Sequence, residues 1–329
     1  MKLETTLMGL SLKNPFVIGA NPWTGKITKL KELEAAGASA VVLPSLFEEK
    51  IQLEKFQHQE SMHEFDDLHA EMLTQHPNTD YAGAEIYLHF IKQAKSSLSI
   101  PIFASLNALT SDTWIYYAKK IEEAGADGLE LNLYHTAKNP NHSSQKIEQE
   151  QLQIVQQVRS EIKIPLSVKL SPYYTNTLHF IQRLEEIGVN GYVLYNRFFE
   201  EEIDIDREIL TFPLRLSQGT EYTHAMKAIG LLYGTIKGDL IATGGLHTTE
   251  SIIQVILAGA SAVQVVSLVH MQSPSVLRTL IEEVTQWMDQ KGYGSLEAFR
   301  GSLSKKNQQD PFAFERDQYI DLLLKGKVL

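Results

Sequence analysis

Four stretches of the chain share one pattern of apolar and polar positions: "ELEAAGASAVVLPS", "IEEAGADGLELNL", "LEEIGVNGYVLYN" and "ILAGASAVQVVS". Each closes an amphipathic helix, reaches Gly37, Gly125, Gly188 or Gly259, and continues as a short apolar run. Glycine suits the left-handed position that ends a helix, and a short β-rich run after it suits a strand buried on both faces. Between these units lie further short apolar runs: "FVIGA" (Phe16 to Ala20), "IPIFASL" (Ile100 to Leu106), "IPLSVKL" (Ile164 to Leu170) and "DLIATGG" (Asp239 to Gly245). Eight strands separated by helical patterns predict an α/β fold, a (β/α)8 barrel. An open doubly wound sheet also alternates strands and helices, but no G-x-G-x-x-G follows the first strand here. The pattern predicts a single domain over residues 1–329. Two insertions follow strands two and six, Ser45 to Thr79 and Asn196 to Ser217, and segments of that length usually cover or bind something. The tail, 292–329, reads as a C-terminal helical extension rather than another barrel unit.

A barrel of this kind keeps its chemistry at the C-terminal strand ends, which makes the polar residues there the candidates. They are Asn21 after strand one, Pro44 and Ser45 after strand two, Asn107 after strand three, and Asn132 and His135 after strand four. Lys169 follows within strand five, Asn196 and Arg197 after strand six, Gly244 and Gly245 after strand seven, and Ser267 after strand eight. In "ATGGLHTTESII" two glycines stand between a strand and a helix, where backbone N–H groups and the helix dipole favour an anion; a plain tight turn is the simpler alternative. With "VQVVS" beside it, the pair forms the usual phosphate location of such barrels, and Gly245 is where an added side chain is expected to intrude on the phosphate. Lys169 sits in the apolar strand "SVKLSP", where an ammonium needs a negative or electron-rich partner. That partner is either a cofactor or a barrel-interior carboxylate such as Glu130. Asparagines often end strands by turning the chain, but Asn107, Asn132 and Asn196 together suggest more. His135 has the near-neutral titration of a general base and is equally readable as a solvated loop residue.

Composition narrows the chemistry. A formal charge of −10 without long basic runs argues against nucleic acid. The absence of cysteine removes disulfides, iron–sulfur clusters, thiolate zinc sites and a catalytic thiol, so redox chemistry must come from a bound cofactor. His58, His63, His69 and His76 show no regular ligand spacing, and no metal site is expected. The N-terminal segment lacks a continuous apolar core for export or membrane spanning, and the protein is expected to be cytoplasmic.

The ordered set "TLMGLSLKNPFVIGAN", "ELNL", "VKLSPYY", "IATGGLHTTESIIQVILAGASAVQVVS" and "KGYGSLEAFRGSLS" resembles the dihydroorotate dehydrogenases of the soluble class and their dihydroorotate dehydrogenase-like relatives, from near residue 3 to about residue 304. The resemblance implies a TIM barrel holding FMN at the strand ends. It further implies that Lys169 is the flavin-contacting lysine, that Gly244 and Gly245 bind the phosphate with Val266 and Ser267 as the second phosphate turn, that Asn132 lies beside ring and substrate, and that Asn196 is the strand-six asparagine. Ala20, Asn21, Ser45 and Asn107 complete the expected cofactor set. The substrate side departs from the family pattern. Pro44 stands where the family has a lysine, His135 falls about where it has a cysteine base, and Thr136 or Ala137 replaces a second asparagine. The family's asparagine loop is absent from Ser45 to Tyr81, and "LRLSQGTEYTHAMKAIG" replaces a glycine-rich segment. The expectation is a cytoplasmic FMN-dependent oxidoreductase acting on a CH–CH bond of a small molecule, with a substrate that need not be dihydroorotate. His135, Lys169 and Asn132 are its catalytic candidates, and a homodimer is expected by analogy. A phosphate-binding lyase or isomerase without flavin, and a non-catalytic flavin-binding barrel, are the alternatives.

Overall fold

The structure, a computed structural model, describes residues 2–49, 51, 83–108, 110–133, 139–197, 201–213, 215–310, 314 and 324. An N-terminal hairpin, β1 (Thr5–Leu7) and β2 (Leu10–Leu12), precedes eight parallel strands: β3 (Phe16–Ile18), β4 (Ala40–Phe47), β5 (Ile102–Asn107), β6 (Gly128–Asn132), β7 (Leu166–Leu170), β8 (Gly191–Leu194), β11 (Asp239–Thr243) and β12 (Ala262–Val265). A second hairpin, β9 (Glu202–Asp204) and β10 (Ile209–Thr211), lies in the second insertion. The eight parallel strands close: β8 pairs with β11, β11 with β12, and β12 with β3. Closure excludes the open sheet, and the barrel expected from the repeats is present.

Around it run α1 (Ile27–Ala35), α2 (Gly83–Ser97), α3 (Ser111–Glu123), α4 (Ser144–Glu161), α5 (Thr177–Ile187), α6 (Tyr222–Leu232), α7 (Thr249–Ala258), α8 (Ser267–Gln272) and α9 (Val276–Lys291). Gly188, in the left-handed conformation with φ +93°, ends α5 as the repeat pattern requires.

Strand alternation divides the core in two. Ile18, Leu43, Ile102, Leu131, Val168 and Leu194 belong to the large cluster between barrel and helices. Val17, Val42, Phe103, Val193, Ile241 and Ala262 form a separate cluster on the axis, together with Leu7, Met8 and Leu12 of the N-terminal hairpin. The hairpin thus plugs the floor, with Met8 N donating to Asp239 Oδ2 at 2.5 Å. Gly191 leaves space for the plug, because a Cβ there would stand 2.7 Å from Met8 Sδ. With the floor apolar and sealed, chemistry is confined to the other end.

The tail straps onto the barrel through turns, with Gly301 N bonded to Ile256 O and Leu303 N to Leu257 O. Up to residue 310 its only helical piece is the 3-10 turn Leu296–Ala298; "PFAFERDQYIDLLL" lies outside the described residues except Phe314 and Leu324. The first insertion lies outside them from residue 52 to 82.

Candidate active site at the barrel mouth

Above the apolar floor the axis-facing residues turn polar: Glu130 and Asn132 on β6, Ser167 and Lys169 on β7, and Gln264 on β12. Asn132 and Lys169 are direct cross-strand neighbours. The Lys169 side chain is 12% exposed, and its Nζ lies 4.0 Å from Glu130 Oε1. That separation is an ion-pair distance, too long for a hydrogen bond. The carboxylate anticipated as an alternative partner is therefore present, yet the ammonium keeps its donors free among the described residues.

The three asparagines form a relay. Asn107 Nδ2 donates to the Asn132 carbonyl at 2.9 Å, and Asn196 Nδ2 donates to Asn132 Oδ1 at 2.9 Å. Asn196 is held over β7 by its own N–H on Leu170 O at 2.7 Å. Asn132, half-buried, is held at its backbone by Asn107 and at its side chain by Asn196, and among the described residues its amide N–H groups have no partner.

Pro44 interrupts β4, where the register with β5 shifts between Val42 and Ser45. A bulge of this kind re-aims the following side chain, and Ser45 Oγ meets Ser105 Oγ at 2.7 Å. Tyr87 backs this pair by accepting from Ser105 N at 3.0 Å, and burial pushes its phenol up, keeping it neutral. Next to Ala20, Asn21 has a local task. Its Oδ1 accepts from Trp23 N at 2.8 Å and its Nδ2 donates to Gly19 O at 2.7 Å. This amide serves the 3-10 turn Pro22–Gly25, a role that the strand-end reading did not foresee.

The expected phosphate turn follows β11. Gly244 and Gly245 have φ of +83° and +66°, the left-handed region that favours glycine. Their surroundings differ. A Cβ on Gly244 would meet nothing within 4 Å, whereas one on Gly245 would lie 2.5 Å from Gln218 O and 2.9 Å from Glu221 N. This corrects the expectation for Gly245: its missing side chain makes room for the 218–222 backbone, and Gly244 is the glycine that faces open space. The helix α7 begins just beyond, capped by Thr248 accepting from Ser251 N at 3.2 Å. Ser217 ties this turn to the next strand end, donating its N–H to Ser267 Oγ at 2.9 Å and pairing with His247 Nε2 at 3.1 Å. Val266 precedes Ser267, packed so closely on strand one that a Cβ on Gly19 would stand 2.9 Å from it. Burial lowers the His247 imidazole, against an opposing pull from Glu221, and lowers that of His270 as well. Burial thus favours the neutral form of both.

An open cleft of about 340 Å³ begins at Gly244 and runs beneath the β9–β10 insertion, within the range of small-molecule sites. Tyr173, Tyr195, Asn196, Arg197, Arg215 and His224 line it with Glu202, Glu221 and Thr243. Arg197 pairs with Glu221 at 3.8 Å and donates to the Arg215 carbonyl, while Arg215 pairs with Glu202. Tyr195, Glu202, Arg215, His224 and Thr243 were missed by the sequence reading. Only the length of the second insertion signalled that its residues would matter. His135 lies outside the described residues. Among the described residues no group of three or more His, Asp or Glu could hold a metal, and no helix is long and apolar enough to cross a membrane.

The family model described as dihydroorotate dehydrogenase matches residues 2–288. The catalytic subunit of dihydroorotate dehydrogenase B (NAD(+)) from Thermoplasma volcanium is 27% identical over 320 residues, 92% of this chain and 99% of the relative. Dihydroorotate dehydrogenase A (fumarate) from Lactococcus lactis subsp. lactis is 26% identical over 316 residues, 92% of this chain and 99% of the relative. A putative dihydroorotate dehydrogenase A (fumarate) from Aeropyrum pernix is 29% identical over 219 residues, 64% of this chain and 70% of the relative.

Proposed function

Because the chain belongs to the dihydroorotate dehydrogenase family, we propose that it is a cytoplasmic, single-domain, FMN-dependent oxidoreductase that acts on a CH–CH bond of a small molecule other than dihydroorotate. The observation that carries the cofactor is the Gly244 turn, open on the side where a Cβ would project, with a lysine whose donors are unengaged among the described residues on the same barrel mouth. These residues fit a flat group with a phosphate tail. Gly244, Gly245, Val266 and Ser267 would hold the phosphate end, and Lys169, Asn107, Asn132 and Asn196 the ring, with Ala20, Asn21 and Ser45 beside it. When bound, FMN supplies the electron-pair acceptor. Lys169 sets a fixed positive charge where negative charge develops, which is electrostatic preorganisation. The Asn196–Asn132 bond keeps one amide from rotating away. His135 is the proposed base for the substrate proton. A lyase or isomerase would use the glycine turn equally well but would leave Lys169 and the asparagine relay without a task.

The substrate reading rests on what surrounds that mouth. Pro44 lies in a bulge and offers no charge, no cysteine is present, and Arg197 stands next to Asn196 above the cleft. We expect the purified protein to be yellow and to release about one FMN per chain on denaturation. Anaerobic dihydroorotate should bleach it slowly, while dithionite should bleach it at once. A colourless protein that takes up no added FMN overturns the cofactor; rapid bleaching by dihydroorotate overturns the substrate.

The proposal includes a homodimer, for which the second insertion offers a surface. Ile203 and Leu210 are direct cross-strand partners, 70% and 61% exposed, and alternation puts Ile205 (82%) and Phe212 (70%) on the same face. The opposite face carries Glu202, Asp204 and Thr211, which are half-buried, and Ile209, the partner of Asp204, which is 49% exposed. A hairpin ordinarily turns its polar face to water, and apolar side chains grouped on an outward face mark a contact. A second copy fits it. A twofold axis through the Ile203–Leu210 pair would set the two copies of this pair against each other. Light scattering should give twice the chain mass, and Ile203→Lys with Leu210→Lys should give a monomer. A monomeric parent, or a dimeric double variant, removes this surface from consideration.

A further inference from the structure

Glu130 and Gln264 come from strands on opposite sides of the closed barrel, β6 and β12, and meet at its axis. Gln264 Nε2 donates to Glu130 Oε2 at 2.6 Å, and the two residues are 1% and 3% exposed. The second carboxylate oxygen, Oε1, accepts no hydrogen bond among the described residues. It points instead toward the Lys169 ammonium, 4.0 Å away. A carboxylate this deeply buried is costly unless a charge compensates it, and an ammonium in an apolar strand has the same need.

We propose that Glu130 is the positioning residue for Lys169. Pinned across the barrel by Gln264, the carboxylate cannot swing to follow the lysine, so the lysine is drawn to it. The attraction holds the ammonium over the axis. The gap of 4.0 Å, longer than a hydrogen bond, keeps its N–H donors directed to whatever binds at the mouth. The pair presents its positive end to the ligand and its negative end to the floor. This assignment rests on the FMN reading only in what the ligand is; the pairing itself belongs to the protein.

The test is a double-mutant cycle of Glu130→Gln, Lys169→Met and the two combined, in the full-length protein, with two readouts. In thermal unfolding without added FMN, each single change should lower Tm, because each leaves one buried charge uncompensated, and the combined variant should recover at least half of the loss of Glu130→Gln. Additive losses overturn the proposal. If Glu130→Gln does not fold, a folded combined variant supports the pairing, and a combined variant that also fails overturns it. The second readout is the two-electron midpoint potential of bound FMN. Lys169→Met should lower it. Glu130→Gln should lower it by roughly tenfold in the reduction equilibrium, about 30 mV for a two-electron couple, because the released ammonium no longer sits over the axis, and should change little in the Lys169→Met background. An equal shift in both backgrounds means that Glu130 acts on the ring directly, and overturns the positioning role. A protein that binds no flavin sinks the FMN reading while the thermal cycle still decides the pair.

Discussion

Gly245→Val should unfold the turn after β11, whereas Gly244→Ala should leave the fold nearly intact and weaken FMN binding. A Cβ on Gly245 would stand 2.5 Å from the Gln218 carbonyl and 2.9 Å from Tyr222 N, backbone atoms that no rotamer change can move. Its φ of +66° adds strain for a branched side chain. Overpacking of about 1–3 kcal/mol and left-handed strain of roughly 1–2 kcal/mol together predict a large fall in Tm, with FMN lost as a consequence. At Gly244 the left-handed φ of +83° costs the same order of strain, but nothing lies within 4 Å of the added methyl group. The stability loss should be about 1–2 kcal/mol. The methyl group would stand on the side that the proposal gives to the phosphate, and FMN affinity should fall at least roughly tenfold, about 1.4 kcal/mol. Equilibrium titration with FMN, alongside thermal unfolding of both variants, separates the two effects. Parental FMN affinity in folded Gly244→Ala would move the phosphate to another strand end.

The second large effect is expected at His135. A base that accepts the substrate proton contributes typically about 10²- to 10⁴-fold, so His135→Ala should slow flavin reduction by the true substrate at least about 10²-fold while FMN content stays the same. An imidazole accepts a proton only when neutral. In the parent the rate should therefore fall as pH drops through the ordinary imidazole range, near about 6.5, and this limb should vanish in the variant. Asn132→Ala should behave differently, since an amide takes no proton: it should weaken substrate binding and slow reduction together, without altering the pH profile. Stopped-flow reduction across pH decides. A His135→Ala variant with the parent's rate and profile makes His135 a bystander and places the base elsewhere.

What the amino-acid sequence determined by itself was whatever depends on near neighbours in the chain. The helix-ending glycines, with Gly37, Gly125, Gly188 and Gly259 all at positive φ, and the β-rich runs after them are local choices of backbone conformation. With the four further apolar runs they make eight strands in series, which leave few ways to bury every strand. The ring of candidates at the strand ends followed from that count alone, and Asn107, Asn132 and Asn196 do stand joined. Tertiary structure decided what depends on approach across the fold. Gly244 and Gly245 are indistinguishable as a dipeptide, and only the arrival of the 218–222 segment makes one a packing position and the other an open one. Asn21 reads as a strand-end ligand until the turn behind it takes its amide. Glu130 and Gln264 are 134 residues apart, on strands that meet only because the barrel closes. Period-two alternation says that each points inward, but a hydrogen bond acts over about 3 Å, so which inward groups touch is set by the register and closure of the whole sheet.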